Sequence, residues 1–278
     1  MARTNMQSTR VKPERSELLV LHVLRRERIS SGFVRITLGG GDIDGFVPLG
    51  ADQWFRLFLP VGGEEGALSR LPAKLDTLAF ARYLTMSKTV RPVLRNYSVR
   101  AYRPDGAEGP ELDVDFVLHG SAVDGTSGPA AAWAETCAVG DAVAIIDEGI
   151  SFTPQTGVDR VRLVADETGV PAAANILASL DAGVHGVAVL EIPHADDAQE
   201  LVSPAGVEVE WVVRTDPHAV PGVAAGTRAR LLPSTGERFY GWAVGESALP
   251  IAMRRHWIAA GVAKSDILFC GYWKAGRR

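Results

Sequence analysis

The chain has 278 residues, enough for two compact domains of about 100–150 residues each. Hydrophobic residues make up 46% and charged residues 22%, so each half can bury its own core. A net charge of −4 makes no electrostatic case for nucleic acid or an anionic membrane, and no apolar run approaches the roughly 20 residues that span a bilayer. The first fifteen residues, MARTNMQSTRVKPER, are polar and basic and lack the apolar stretch of a secretory signal. Cys137 and Cys270 are the only cysteines. They are too few for a four-thiolate zinc or iron–sulfur site, and they read as buried small hydrophobes in a reducing compartment. A cytoplasmic location and no metal site are the expectations.

Residues 1–16 are expected to form a flexible tail, 17–150 a β domain and 151–278 an α/β domain. Leu18–Arg25, Phe33–Leu38, Gln53–Leu59, Arg95–Tyr102, Glu111–His119 and Asp141–Ile146 are apolar or alternating runs of strand length, separated by turn residues. Six such strands predict an antiparallel β-barrel or sandwich. Residues 71–84 depart from this, with Leu71, Leu75, Leu78 and Ala79 at helical spacing, and predict a helical insertion. Gly, Pro and polar residues at 149–159 read as a linker. Beyond it, strands at Val161–Ala165, Gly186–Ile192, Glu208–Val213, Phe239–Val244 and Ile267–Cys270 alternate with helices at Pro171–Leu180 and Ala248–Ala260. That alternation predicts a mainly parallel sheet covered on both faces.

Three clusters could carry chemistry. In Arg95-Asn96-Tyr97-Ser98 the arginine offers a planar fork for a phosphate, and the tyrosine two residues on shares its face of the strand. Ser98 adds a hydroxyl that can donate or accept. An ordinary strand with a half-buried tyrosine fits the same four letters. Asp115 and His119 lead into Gly128-Pro129-Ala130-Ala131-Ala132-Trp133, a small-residue turn that opens a helix with proline in its first turn. The unpaired amides of such a start suit a pyrophosphate, although a plain capping helix is the alternative. The third cluster, Asp166-Glu167-Thr168-Gly169-Val170-Pro171-Ala172, follows the first α/β strand, on the edge where such sheets bind ligands. It lacks the GxGxxG fingerprint, which favours a transient nicotinamide nucleotide over a tightly held one. Gly245-Glu246 and Gly271-Tyr272-Trp273 end later strands on that same edge and could line it.

The series RNYS, VDFVLHG, GPAAAW, ADETGVPA, WAVGES and GYWKAG, taken in order from about Leu18 to Gly276, resembles the siderophore-interacting protein family. These are FAD-containing ferric-siderophore reductases of the ferredoxin–NADP reductase superfamily. The resemblance implies a six-stranded FAD-binding barrel over 17–150 and an NAD(P)H-binding α/β domain over 151–278. It implies that Arg95 contacts FAD phosphate, that Tyr97 lies against the isoalloxazine, and that Ser98 is near its N5. Asp115 and Val117 would lie by the ribityl and flavin region. His119, Gly128, Ala130, Ala131 and Trp133 would surround the pyrophosphate and adenosine, and Thr168 would serve the nicotinamide side. Ser98 stands where the family usually has threonine, and Gly169-Val170-Pro171 where it has Ala-Leu-Pro. Five residues follow Trp273, so a C-terminal helix that relatives lay over the flavin is expected to be missing.

The implied reaction passes hydride from NADPH or NADH to non-covalently held FAD, and then single electrons to the Fe(III) of a siderophore. Fe(II) suits hard oxygen ligands poorly, so the chelate loosens. No side chain need act as acid or base, so no catalytic residue is assigned with certainty. Arg214 is a candidate for a nucleotide 2′-phosphate, while the acidic Glu191–Glu200 argues the other way. A ferredoxin is an alternative donor. Arg254, Arg255, Lys264, Lys274, Arg277 and Arg278 could form a basic rim for an anionic chelate. The rival readings are a reductase of the same fold for free flavin, quinone or ferredoxin, and a flavin- or siderophore-binding protein without turnover.

Overall fold

The computed structural model describes residues 4–60, 65–74, 76–87, 89–118, 127–233 and 236–276. The chain divides into two compact units. A half-barrel unit comprises Lys12–Leu49 and Gln53–Gly149. An α/β unit comprises Met1–Val11, Gly50–Asp52 and Ile150–Arg278. The first element, α1 (Met6–Thr9), belongs to the α/β unit.

The half-barrel is a curled antiparallel sheet of seven strands: β1 (Leu18–Arg28), β2 (Phe33–Gly39), β3 (Trp54–Leu59), β4 (Val93–Ser98), β5 (Ala101–Gly106), β6 (Gly109–Val117) and β7 (Ala142–Gly149). They lie in the order β4-β3-β7-β1-β2-β6-β5. Seven strands replace the expected six because Arg95–Tyr102 is not one strand. The Val99 amide bonds the Gln53 carbonyl beside β3, and the Arg100 amide bonds the Asp113 carbonyl of β6. The backbone thus changes partners within two residues. On β7 the two-residue period is plain: Val143 and Ile145 enter one apolar cluster, and Ala142, Ala144 and Ile146 enter another. Both faces are covered, so the strand is buried throughout.

The insertion forms α2 (Thr77–Thr85), with the Asp76 carboxylate accepting from the Ala79 amide as its N-cap. Its buried residues are Ala79 and Tyr83, whose hydroxyl donates to the Pro92 carbonyl at 2.7 Å. Leu78, expected inside, is exposed, and Leu75 lies outside the described residues. On the sheet's other side, α3 (Pro129–Thr136) buries Ala130, Ala131 and Ala134.

The α/β unit holds β8 (Arg160–Ala165), β9 (His185–Ile192), β10 (Gly206–Val213), β11 (Tyr240–Glu246) and β12 (Ile267–Trp273), all parallel, in the order β10-β9-β8-β11-β12. Its remaining helices are α4 (Val170–Ser179), α5 (Val223–Arg230) and α6 (Ala248–Ala259). The order reverses between β8 and β11, the switch point at which such sheets leave a crevice beyond their carboxyl ends. Residues 4–11 differ from the expected tail. Thr4 bridges to Cys270, and the Asn5 side chain donates to the Ile267 carbonyl at 2.7 Å and accepts from the Phe269 amide at 2.9 Å. Asp52 joins this unit because its buried carboxylate accepts from the amides of Ser151 and Phe152, each at 2.7 Å. Cys137 and Cys270 are free and buried, which pushes each thiol up to about 11. No described helix is long and apolar enough to cross a membrane.

Candidate functional site

In the half-barrel, alternation along edge strand β4 puts Arg95 and Tyr97 on one side. Tyr97 is half-buried against Phe116 of β6, with ring centroids 4.3 Å apart, and Phe116 meets Trp133 of α3 at 5.6 Å. Burial raises the Tyr97 phenol above its ordinary value, and Arg95 pulls the other way. Arg95 is exposed and donates to the carbonyl of its own neighbour Leu94 at 2.8 Å. Ser98, half-buried, closes the strand opposite Trp54.

Helix α3 packs on β2, β4 and β6 through its alanine face. Its N-cap is Gly128, which has no side chain to cap with, so the amides of Ala130 and Ala131 find no acceptor within the helix. A Cβ built on Gly128 would meet nothing within 4 Å. The face of the half-barrel that α3 covers therefore carries an open helix N-terminus, a row of aromatic rings and, by the alternation of β4, the exposed guanidinium of Arg95. This donor set suits an anionic, ring-bearing ligand.

Asp115 and Val117 alternate with Phe116 on β6 and so lie on its other face, apart from Tyr97. Val117 is half-buried. Asp115 is buried and held by Arg35 at 2.6 and 2.8 Å and by Arg100 at 3.5 Å. It ends a ladder in which Asp113 takes Arg103 and Thr37, and Glu111 takes Arg25 and Arg103. His119 lies outside the described residues.

In the α/β unit, the turn after β8 is organised by Asp166, which is fully buried. Its Oδ1 accepts from the Thr168 amide at 2.9 Å and the Thr168 hydroxyl at 2.5 Å, and its Oδ2 accepts from the Glu246 amide at 2.5 Å. Burial, and then the neighbouring Glu167, push this carboxyl up to about 7. Gly245 sits at φ +125°, and a Cβ there would come within 2.5 Å of the Asp166 carboxyl. Glu246 accepts from the amides of Ala248 and Ala275 at 2.6 and 3.2 Å. Ser247 donates its amide and hydroxyl to the Trp273 carbonyl at 2.9 and 2.5 Å. Thr168, Gly245, Glu246 and Trp273 are thereby tied together at the carboxyl edge of the sheet. Asp166, which opened the third cluster with no role assigned to it, and Ser247, which was not singled out, hold them. An aspartate just after an apolar strand and two residues before a threonine is a turn-cap signal that could have pointed to the first.

Arg214 does not present itself to a 2′-phosphate. It is 6% exposed, and its guanidinium is taken by Glu167 at 2.6 and 3.0 Å and by Glu191 at 3.1 Å. Glu191 also accepts from the amides of Gly222 and Ala225, at 2.8 and 2.7 Å, and through Arg214 the two carboxylates tie the end of β10 to the ends of β8 and β9. Among the basic-rim candidates, Arg254 lies over the Phe269 ring at 4.9 Å, while Arg277 and Arg278 are outside the described residues. Among the described residues, no group of three or more His, Cys, Asp or Glu side chains is gathered as a metal site.

A curled antiparallel sheet followed by a parallel sheet of order 3-2-1-4-5 is a ferredoxin-reductase class of fold: the ferredoxin reductase of carbazole 1,9a-dioxygenase shares it at a TM-score of 0.64 and 14% identity. Within that class the chain belongs to the siderophore-interacting protein family. The siderophore-interacting FAD-binding domain matches residues 22–152, and the siderophore-interacting protein domain matches residues 158–276. The ferric vibriobactin reductase of Vibrio cholerae is 28% identical over 93% of this chain and 90% of its own length. An uncharacterized protein of Mycobacterium tuberculosis is 30% identical over 94% and 91%. The NADPH-dependent ferric-chelate reductase of Escherichia coli is 27% identical over 92% of each. The crystal structure of a siderophore utilization protein from T. fusca superposes with a TM-score of 0.74 at 27% identity, covering 97% of each chain.

Proposed function

We propose that this protein is an FAD-dependent ferric-siderophore reductase that draws its electrons from NADPH or NADH and frees iron as Fe(II) in the cytoplasm. What carries the reading is that both halves such a reaction needs are joined in one chain, over the same span as relatives named as ferric reductases. The half-barrel residues fit FAD. The amides of Ala130 and Ala131 and the guanidinium of Arg95 would hold its pyrophosphate, and the open space at Gly128 admits it. Tyr97, fixed against Phe116, would carry the isoalloxazine, with Ser98 beside it. Trp133 would border the adenosine. Held there without a covalent bond, a flavin supplies the exchange between a two-electron donor and a one-electron acceptor. Thr168, Gly245, Glu246 and Trp273 would bind the nicotinamide nucleotide and orient it, and none of these residues need exchange a proton with the chelate.

Anaerobic stopped-flow absorbance tests this. NADPH or NADH should bleach the flavin, and a ferric siderophore should restore its colour faster than free flavin or quinone does. Bleaching by a reduced ferredoxin alone would overturn the donor. A bleached enzyme that ferric chelates leave bleached would overturn the acceptor. A yellow protein that no donor bleaches would be a binding protein.

A further inference from the structure

We propose that Asp166 is the positioning residue of the nucleotide site: it holds the Thr168 hydroxyl so that this group accepts, and cannot donate, a hydrogen bond from the nucleotide. The inference rests on reading the α/β unit as the NAD(P)H site.

Three donors converge on one buried carboxylate, two from Thr168 and one from Glu246. The first two lie just after β8 and the third at the end of β11, the two strands that flank the switch point. One side chain therefore sets the spacing of both strand ends where a ligand would enter. The bare Cα of Gly245 admits it, since any Cβ there would strike the carboxyl. The neighbouring charges are committed elsewhere: Glu167 is held by Arg214, and Glu246 by the amides of Ala248 and Ala275.

The consequence for Thr168 is chemical. A threonine hydroxyl has one proton and two lone pairs. While Asp166 is ionised the proton is given to it, so only lone pairs remain for a ligand. Thr168 is also the half-buried member of a turn whose Asp166, Glu167, Gly169 and Val170 are buried. A nucleotide phosphate at neutral pH offers acceptors alone and cannot satisfy this group. The carboxamide NH2 and the ribose hydroxyls can. Thr168 is thus assigned to a donor group of the nucleotide, an amide or amino NH2 or a ribose hydroxyl, and not to its phosphates.

The test uses the FAD-loaded enzyme at about pH 8, above the point near 7 to which burial pushes Asp166, and reads the apparent Kd for NADPH and NADH from anaerobic bleaching rates. Asp166→Asn and Thr168→Val should each weaken the nucleotide by about tenfold, the effect of one lost hydrogen bond. The double variant should be no weaker than the worse single one, because Asp166 acts through Thr168. Additive losses, or an Asp166→Asn enzyme with wild-type Kd, would overturn the proposal. If Asp166→Asn does not fold, the pair Thr168→Ser and Thr168→Val decides: the serine should keep the wild-type Kd and the valine lose it, and equal values would overturn the role. A wild-type enzyme that neither nucleotide bleaches sinks the underlying reading instead.

Discussion

Arg95 and Arg214 are two arginines with opposite prospects. Arg95 is exposed and, among the described residues, donates to the Leu94 carbonyl next to it, so Arg95→Ala should leave the melting temperature of the apoprotein near wild type. If it holds FAD phosphate, the same change should weaken FAD by roughly ten- to a hundredfold, a charge-assisted contact being worth about 1.5–3 kcal/mol. Full flavin occupancy after dilution and gel filtration would remove Arg95 from the site. Arg214 is buried between two carboxylates, and Arg214→Gln would leave both uncompensated. The expected cost is about 3–5 kcal/mol of stability, seen in denaturant titration, with no selective loss of NADPH over NADH. A variant that keeps its stability but loses NADPH alone would return Arg214 to the 2′-phosphate. The sequence marks both residues as cations near strand ends. It cannot tell them apart, because the difference lies in Glu167 and Glu191, which are 47 and 23 residues away from Arg214.

The helix α3 offers a test with two opposite signs. Gly128 has an ordinary φ of −69° and open space around its Cα, so the backbone does not require glycine there. Serine at an N-cap bonds the amides of the first turn and should stabilise the apoprotein by a few tenths of a kcal/mol. The same amides are those offered to a pyrophosphate. Gly128→Ser should therefore raise apo stability slightly while weakening FAD, by roughly tenfold if one amide contact is lost. Equal FAD affinity in both proteins, measured by fluorescence titration, would place the pyrophosphate elsewhere. Elements with strong local signals were legible: the alternating strands, the proline-led start of α3, and the strand–helix alternation after the linker. The break between β4 and β5 was not, because neither Val99 nor Arg100 is a turn residue and the change of partner is a tertiary event. Helix α5 was missed as well. Its buried face is Ala225, Gly226 and Ala229, too small to make an apolar stripe, and Leu249 packs against Gly226 instead. In the insertion the spacing held at Leu71 and Ala79, which are buried, and failed at Leu78, which is exposed because the buried face of α2 follows Ala79 and Tyr83.

Across the molecule, the buried carboxylates respond to pH in two directions. Glu111 is held down to about 2 by hydrogen bonds from Arg25 and Arg103. Asp113 is also lowered; burial opposes this, and Arg103 and Thr37 outweigh it. A depressed pKa contributes stability above the ordinary value, 4.5 for Glu111, and that stability is lost as pH falls towards 2. Asp166 is the reverse. Its carboxyl rises from 3.8 to about 7, so the stability tied to its proton is full below 3.8 and lost as pH rises to 7. Denaturation midpoints of the apoprotein between pH 2 and 8 should show both limbs. Glu111→Gln should flatten the acid limb, and Asp166→Asn the limb between about pH 4 and 7; a slope unchanged by its variant would refute that assignment. The resemblance carried the cofactor and the sequence of a β fold before an α/β fold, but the supporting roles of Glu191 and Ser247 depend on burial and long-range contacts that no local pattern encodes. One such contact bears on how the protein is made. Asn5 is secured by Ile267 and Phe269, 262 and 264 positions further on, whereas the half-barrel is continuous apart from Gly50–Asp52. During translation the half-barrel can close while the ribosome is still at work. The α/β unit cannot close until β12 has cleared the exit tunnel, and until then Asn5 has no strand to hold.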